Sequence, residues 1–326
     1  MISNVIGALP PLRLVLNTNC NGRCFYCHRE GNHTSQSMSR ETIIDCANIA
    51  QSLSIPQLSL TGGEPSLRSD LSEVINDIRE LAPGVKVSLT SNGDNLSSFC
   101  GKVKKPIDIL NLSITSFKKD VAYRYQNVVP EKALFAFHLF PAIHKNLNIV
   151  LVQDNYKEIE AIIEYCVDKE ISIDFIFELK EYTDSDKILQ QSFFRKIESY
   201  GEASISLKST PVVKIIVSDK CTIHIKHPYL SALPDIGACH NCAYIGECYE
   251  RICAIRVYPD KFVTACLNHK LTSDKTDIRE RIQDVYNQIL CNYSVLSFIS
   301  SPNIREKKCT PSFLANKLVD QRMEKT

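Results

Sequence analysis

Three cysteines fall within eight residues in CNGRCFYCHREG, Cys20 to Gly31, and Tyr26 sits just before the third. Three ordinary chemistries use thiols at such density: structural zinc, a disulfide framework, or an iron–sulfur cluster. Structural zinc takes four ligands, usually as two paired modules. The Cys20-x3-Cys24-x2-Cys27 arrangement has no matching module nearby, and His28 follows Cys27 directly, where it reaches the same ion awkwardly. A 4Fe-4S cubane normally takes four thiolates. Three would leave one iron with an open coordination site, a place to bind something reactive.

A second group, Cys239, Cys242, Cys248, Cys253 and Cys266, lies in CHNCAYIGECYERICAIRVYPDKFVTACL. Taken alone it suits either a zinc ribbon across the hairpin AIRVYPDKFVTA or a second iron–sulfur site. The other six of the fourteen cysteines are scattered and read as small buried hydrophobes. MISNVIGALPPLR lacks a charged leader followed by a long apolar run, and no apolar segment reaches the length of a membrane span. The expectation is a soluble cytoplasmic protein whose thiols serve metals or catalysis rather than disulfides. A net charge of +1 gives no basic field for nucleic acid.

These loops need a frame. Strands are expected at LRLVLNT (12–18), QLSLTGG (57–63), VKVSLTSNG (85–93), ILNLSIT (109–115), LNIVLV (147–152) and ISIDFIFEL (171–179). Helices are expected over 40–53, from Asp70 after a Ser69 cap, over YKEIEAIIEYCVDK, and over 186–200. The strands read as nearly continuously apolar, as strands covered on both faces do. Alternating strands and helices imply right-handed βαβ units and a parallel sheet. Six units fall short of eight, so the fold class is α/β: a partial (β/α)6 TIM-like barrel over 1–203, with a smaller C-terminal domain over 204–326. In such folds ligands sit at the carboxyl ends of the strands. The cysteine loop, GGEP (62–65) and SNG (91–93) all fall on that rim.

CNGRCFYC resembles the cluster-binding signature of the radical S-adenosylmethionine (SAM) superfamily, and GGEP is similar to that superfamily's loop for the SAM amino group. The resemblance implies that Cys20, Cys24 and Cys27 hold three irons of a 4Fe-4S cluster, whose fourth iron chelates the amino and carboxylate groups of SAM. It implies a one-electron reductant such as flavodoxin or ferredoxin, and a 5′-deoxyadenosyl radical that abstracts hydrogen from a substrate. On this reading Gly62 and Gly63 let backbone approach the ligand, Glu64 beside Pro65 accepts from its ammonium, and Tyr26 lies beside the adenine. Thr90 and Ser91 point at the same rim, and Ser113 contacts the ribose or methionine part of SAM.

The second cysteine group is similar to two patterns of that superfamily. One is the C-terminal domain of the GTP 3′,8-cyclases; the other is the twitch and SPASM extensions of peptide- and sugar-modifying enzymes. Either implies one auxiliary 4Fe-4S cluster with Cys239, Cys242 and Cys266 as core ligands and Cys248 or Cys253 as a fourth. Lys261 stands where the SPASM hairpin has a turn glycine.

Carrying the cyclase's GTP contacts across, Arg13 and Thr90 match and Arg256 matches the second arginine of an R-x-R whose first falls on Ala254. The family's arginine before GGEP falls on Ser59, its lysine in the fifth strand falls near Asn146, and its terminal Gly-Gly has no counterpart in QRMEKT. Three missing cationic contacts, at about 1.5–3 kcal/mol each, weigh against GTP. Arg13, Arg68 and Arg256 stay as candidate anion anchors, with Arg68 also readable as a solvated residue at a helix start. The expected activity is hydrogen abstraction from a small molecule such as a nucleoside, sugar or amino-acid derivative. The first strand begins within about a dozen residues, leaving no room for a leader-peptide domain. A peptide-modifying maturase is one alternative, and a non-catalytic zinc or iron–sulfur protein is another.

Overall fold

The computed structural model of the 326-residue chain describes residues 10–27, 35–178, 183–206, 212–227, 254–266, 272–292 and 307–309. Six strands lie side by side in parallel and in chain order: β1 (Leu12–Val15), β2 (Gln57–Thr61), β3 (Lys86–Ser91), β4 (Ile107–Ser113), β5 (Ala142–Leu151) and β6 (Ser172–Phe177). Between and after them run α1 (Arg40–Ser52), α2 (Leu71–Leu81), α3 (Lys119–Gln126), α4 (Pro130–Leu139), α5 (Ile159–Asp168) and α6 (Asp184–Glu198). This is the partial (β/α)6 barrel, with two helices, α3 and α4, where the sequence reading places none.

The sheet continues past both ends of the six. β9 (Thr222–Lys226) pairs parallel with β6, and β8 (Val212–Ile216), β7 (Ala203–Ser206) and β12 (Lys307–Cys309) extend it antiparallel. At the opposite edge β10 (Ile255–Val257) pairs parallel with β1, and β11 (Val263–Thr264) adds an antiparallel strand. Residues on either side of 203 thus share one sheet. A last helix, α7 (Ile278–Asn292), packs on α1 and on the β10–β11 hairpin. Among the described residues no helix is long and apolar enough to cross a membrane.

Local sequence explains the helices. α1 starts where Ser39 Oγ accepts from Thr42 N, a cap of about 1 kcal/mol. α2 buries Leu71, Val74, Ile75 and Ile78, the i, i+3, i+4, i+7 stripe of a helix lying on a sheet. Its cap position is Asp70 rather than Ser69, and the Asp70 carboxylate makes no cap bond because Arg68 claims it. α6 opens on a capping box between Thr183 and Asp186.

The strands are not apolar on both faces. Leu12 and Leu14, Leu58 and Leu60, Val87 and Leu89, Leu110 and Leu112, and Ile173 and Phe175 are fully buried toward the helices. The alternate positions carry Arg13, Ser59, Ser88, Thr90, Asn111, Asn146, Asn148, Asp174, His224 and Arg256. Register pairs such as Arg13 with Ser59, Asn111 with Asn146 and Asp174 with His224 set them on one common face. The inner face of the partial barrel is therefore polar, and the parallel strands alternate in the manner of half-buried ones.

Candidate active site

The loop after β1 is held before any thiol is reached. Thr18 N donates to Gln36 O at 2.9 Å, and Gln36 N donates back to Thr18 Oγ1 at 2.9 Å. Further on, Arg23 N donates to Gln126 O, and Asn127 Nδ2 to Asn21 O at 3.0 Å, pinning the cysteine loop to the C-terminus of α3. Asn127 takes φ +60° there, the left-handed cap conformation that asparagine tolerates. The side chains of Asn21, Asn92 and Asp94 then join in sequence: Asn92 Nδ2 to Asn21 Oδ1 and Asn21 Nδ2 to Asp94 Oδ2, both 2.8 Å.

The GGEP loop after β2 lies directly on this segment. Gly63 N donates to Asn17 O and Glu64 N to Asn19 O, each at 2.7 Å. Gly62 has φ +151°, and a Cβ there would lie 2.5 Å from Asn17 O; a Cβ on Gly63 would lie 2.1 Å from Asn19 O. The close approach that the two glycines permit is thus to the backbone just ahead of Cys20. Glu64 is 2% exposed, and its carboxylate accepts from Ser66 N, Ser91 Oγ and Asn92 N. Burial pushes this carboxyl up, against the pull of those hydrogen bonds. Pro65 opens the 3-10 turn that Glu64 caps.

Tyr26 and Thr115 share a hydroxyl hydrogen bond of 2.5 Å. Behind it lies a polar network that the sequence reading missed. Gln126 accepts from Thr115 N and donates to Ser113 O, and Asn155 Nδ2 donates to Thr115 O. Burial raises the Tyr26 phenol well above its ordinary value. Ser113 and Thr90 are half-buried, and Thr90 accepts from Asn111 Nδ2 at a long 3.4 Å.

The candidate arginines divide. Arg13 and Arg256 are register partners on β1 and β10, on the inner face. Arg68 is not solvated, and its guanidinium is already occupied: it is 8% exposed and forks onto the Asp70 carboxylate. Its other nitrogen donates to Leu16 O, Ser37 Oγ and Met38 O. The guanidinium is spent holding the cysteine-loop strand to the start of α1 and α2. Cys239, Cys242, Cys248, Cys253 and His28 lie outside the described residues. Cys266 follows β11, half-buried and not in a disulfide.

Cys20, Cys24 and Cys27 are not in disulfides and lie within reach of solvent. Gly22 N donates to Cys20 Sγ at 3.2 Å, and a Cβ on Gly22 would lie 3.3 Å from Cys20 Sγ and 3.7 Å from Cys24 Sγ. Glycine thus lets the backbone fold around the sulfurs. Desolvation pushes the Cys20 thiol up and the Cys24 thiol up to about 12, and neighbouring thiols add to both. Thiolates are the donors that iron–sulfur clusters take, so a set of three cysteines in one short loop fits iron. Among the described residues no three His, Cys, Asp or Glu side chains are placed to share one metal ion. A cubane asks for something else, one thiolate on each of several irons.

The family model described as the radical SAM superfamily matches residues 14–187. A probable GTP 3′,8-cyclase of Thermoplasma volcanium is 33% identical over 172 residues, covering 51% of this chain and 52% of that protein. The chain therefore spans about half the length of the curated relatives it matches. The crystal structure of Streptococcus suis SuiB bound to S-adenosylmethionine superimposes with a TM-score of 0.61 at 13% identity, over 98% of this chain and 78% of SuiB. Native anSMEcpe with bound AdoMet gives 0.58 at 14% identity, over 95% and 96%.

Proposed function

The chain belongs to the radical SAM superfamily, and from that premise we infer that it removes hydrogen from a small molecule, a nucleoside, sugar or amino-acid derivative, rather than from GTP. A 4Fe-4S cluster and SAM, when bound, supply reductive cleavage of the sulfonium and a carbon-centred radical for that abstraction. Cys20, Cys24 and Cys27 would hold the cluster. The Gly62–Pro65 loop, Ser91 and Tyr26 would position and shield SAM. Cys239, Cys242 and Cys266, with Cys248 or Cys253, would hold an auxiliary cluster in the 204–326 part of the chain.

One observation carries this reading: the backbone bonds from Gly63 to Asn17 and from Glu64 to Asn19. They lock the glycine loop onto the segment that delivers Cys20, at the carboxyl ends of neighbouring parallel strands. The protein's own contribution is rigidity and orientation at that rim. Against GTP stand Ser59 and Asn146, uncharged inner-face residues where the cyclase resemblance implies cations. A peptide is the second substrate reading. It is supported by the shared fold with SuiB, which has been crystallised with its precursor peptide SuiA.

The test is anaerobic reconstitution with iron and sulfide, followed by iron analysis and an assay for 5′-deoxyadenosine from SAM and reductant. Wild type is expected to bind about eight irons, two cubanes' worth, and Cys27→Ala to lose deoxyadenosine formation. About four irons with zinc would move the C-terminal cysteines to a structural site. No bound iron would end the reading.

A further inference from the structure

A charged group on the inner face of β6 and β9 is used by neither the thiol loop nor the glycine loop. Asp174 Oδ1 lies 3.0 Å from His224 Nδ1, and Asp174 Oδ2 takes the Lys226 ammonium. Both carboxylate oxygens are thereby occupied by strand neighbours. What the group still presents is donors. Lys226 gives Asp174 one of its three ammonium hydrogens, and His224, with Nδ1 turned to Asp174, presents Nε2. His224 and Lys226 side chains are 32% and 38% exposed, against 12% for Asp174.

Burial alone would raise the Asp174 carboxyl; the Lys226 ammonium and then the His224 ring reverse that and hold it well below the carboxylate range. The carboxylate is thus a fixed anion that orients an ammonium and an imidazole. Holding β6 to β9 does not require it. That pairing already sets Ile173 and Phe175 beside Ile223 and Ile225, all fully buried on the other face of the sheet, and a buried ion pair adds little stability of its own.

A second observation comes from the neighbouring strand. Asn146 on β5 is 8% exposed, and its Oδ1 has no hydrogen-bond partner among the described residues. Its Nδ2 donates to Asn148 Oδ1 at 2.9 Å, and Asn148 is the register partner of Asp174. An acceptor left bare at such depth is costly unless a ligand supplies a donor.

We propose that Lys226 and His224, oriented by Asp174, form an oxyanion anchor for the substrate, binding its carboxylate or phosphate group, while Asn146 accepts from an N–H or O–H of the same molecule. The proposal rests on the radical SAM reading, since it assigns the substrate of that site. It narrows the substrate to a small acid with a hydrogen-bond donor. Asp174 is a positioning residue, because its oxygens face the two donors.

The test uses iron-loaded full-length protein with isotopically labelled histidine. The His224 ring resonance, assigned by its loss in His224→Gln, is followed during titration with potassium phosphate and, separately, potassium acetate. Potassium chloride at equal ionic strength and pH is the reference. A saturable movement is expected with at least one anion, weakened tenfold or more in Lys226→Met and largely restored in Lys226→Arg. A response to phosphate alone assigns a phosphoryl group, and a response to acetate assigns a carboxylate. No saturable movement in wild type, or an equal one in Lys226→Met, overturns the anchor. The titration needs no turnover. Failure of the radical reading shows instead as missing iron or missing deoxyadenosine, whatever the anions do.

Discussion

Ser91 Oγ donates to Glu64 Oε1 at 2.6 Å while Asn92 N donates to Oε2 at 2.7 Å, so one buried carboxylate fastens the loop after β2 to the loop after β3. Glu64→Gln would turn an amide N–H₂ toward one of those donors and leave it bare. Such a loss costs about 1–3 kcal/mol. The expected result is a lower urea midpoint with unchanged m-value, and at least tenfold less deoxyadenosine from reconstituted protein.

Gly63→Ala would drive a methyl group into the Asn19 carbonyl at 2.1 Å, against backbone that cannot rotate away. The loop ahead of Cys20 must shift. Iron bound per chain is expected to fall by half or more. Gly22→Ala meets its neighbours only at 3.3–3.4 Å and is expected to lose far less iron.

Arg68→Met would strip hydrogen bonds from Leu16 O, Met38 O and Asp70 together. Because Asp70 is partly solvated, the expected loss is about 2–3 kcal/mol rather than the full penalty of a buried unpaired charge. Were Arg68 a substrate anchor instead, the variant would keep its stability and raise KM alone. Unfolding curves and substrate titration separate the two.

Lys261 takes φ +64° in the β10–β11 hairpin, where its N–H donates to Tyr258 O at 2.9 Å. A lysine in the left-handed region costs about 1 kcal/mol relative to glycine. Lys261→Gly is expected to leave stability unchanged or raise it by up to about 1 kcal/mol, read as a shift in thermal midpoint.

The His227 ring packs at 4.6 Å from Phe177 and 6.4 Å from Phe194, and burial pulls it down to about 3. Unfolded, it titrates near about 6.5. Between those values the unfolded chain binds a proton that the folded chain refuses, so this contribution is complete above pH 6.5 and is lost as pH falls. At pH 5 the loss is about 2 kcal/mol. Urea midpoints at pH 7 and pH 5 should differ more for wild type than for His227→Phe.

Much of the frame was legible because strand residues announce themselves by type. The six expected strands lie close to β1–β6, and the three rim loops follow the carboxyl ends of β1, β2 and β3. What was missed has a physical reason in each case. LSL, VSLTS, ILNLS and SIDFIF read as apolar, but their period of two places Ser59, Ser88, Asn111 and Asp174 on one inner face. α3 is eight mostly polar residues, and α4 leaves Phe135 and Leu139 exposed, so neither shows a clean apolar stripe. Arg68 looked like a solvated charge because its acceptors, Leu16 O and Met38 O, are backbone atoms that no pattern of side chains reveals.

The pairing of β1 with β10 joins Leu12 to Ile255 across more than two-thirds of the chain. A ribosome adding about 5–20 residues per second takes roughly 10–50 s to supply that partner. Until then one edge of β1 stays bare, with its amides and carbonyls open to any stray strand. The segment that must deliver the cluster thiols is therefore completed late in synthesis. Slowing translation after residue 200 should increase aggregation of nascent chains, and a chaperone that covers strand edges should relieve it.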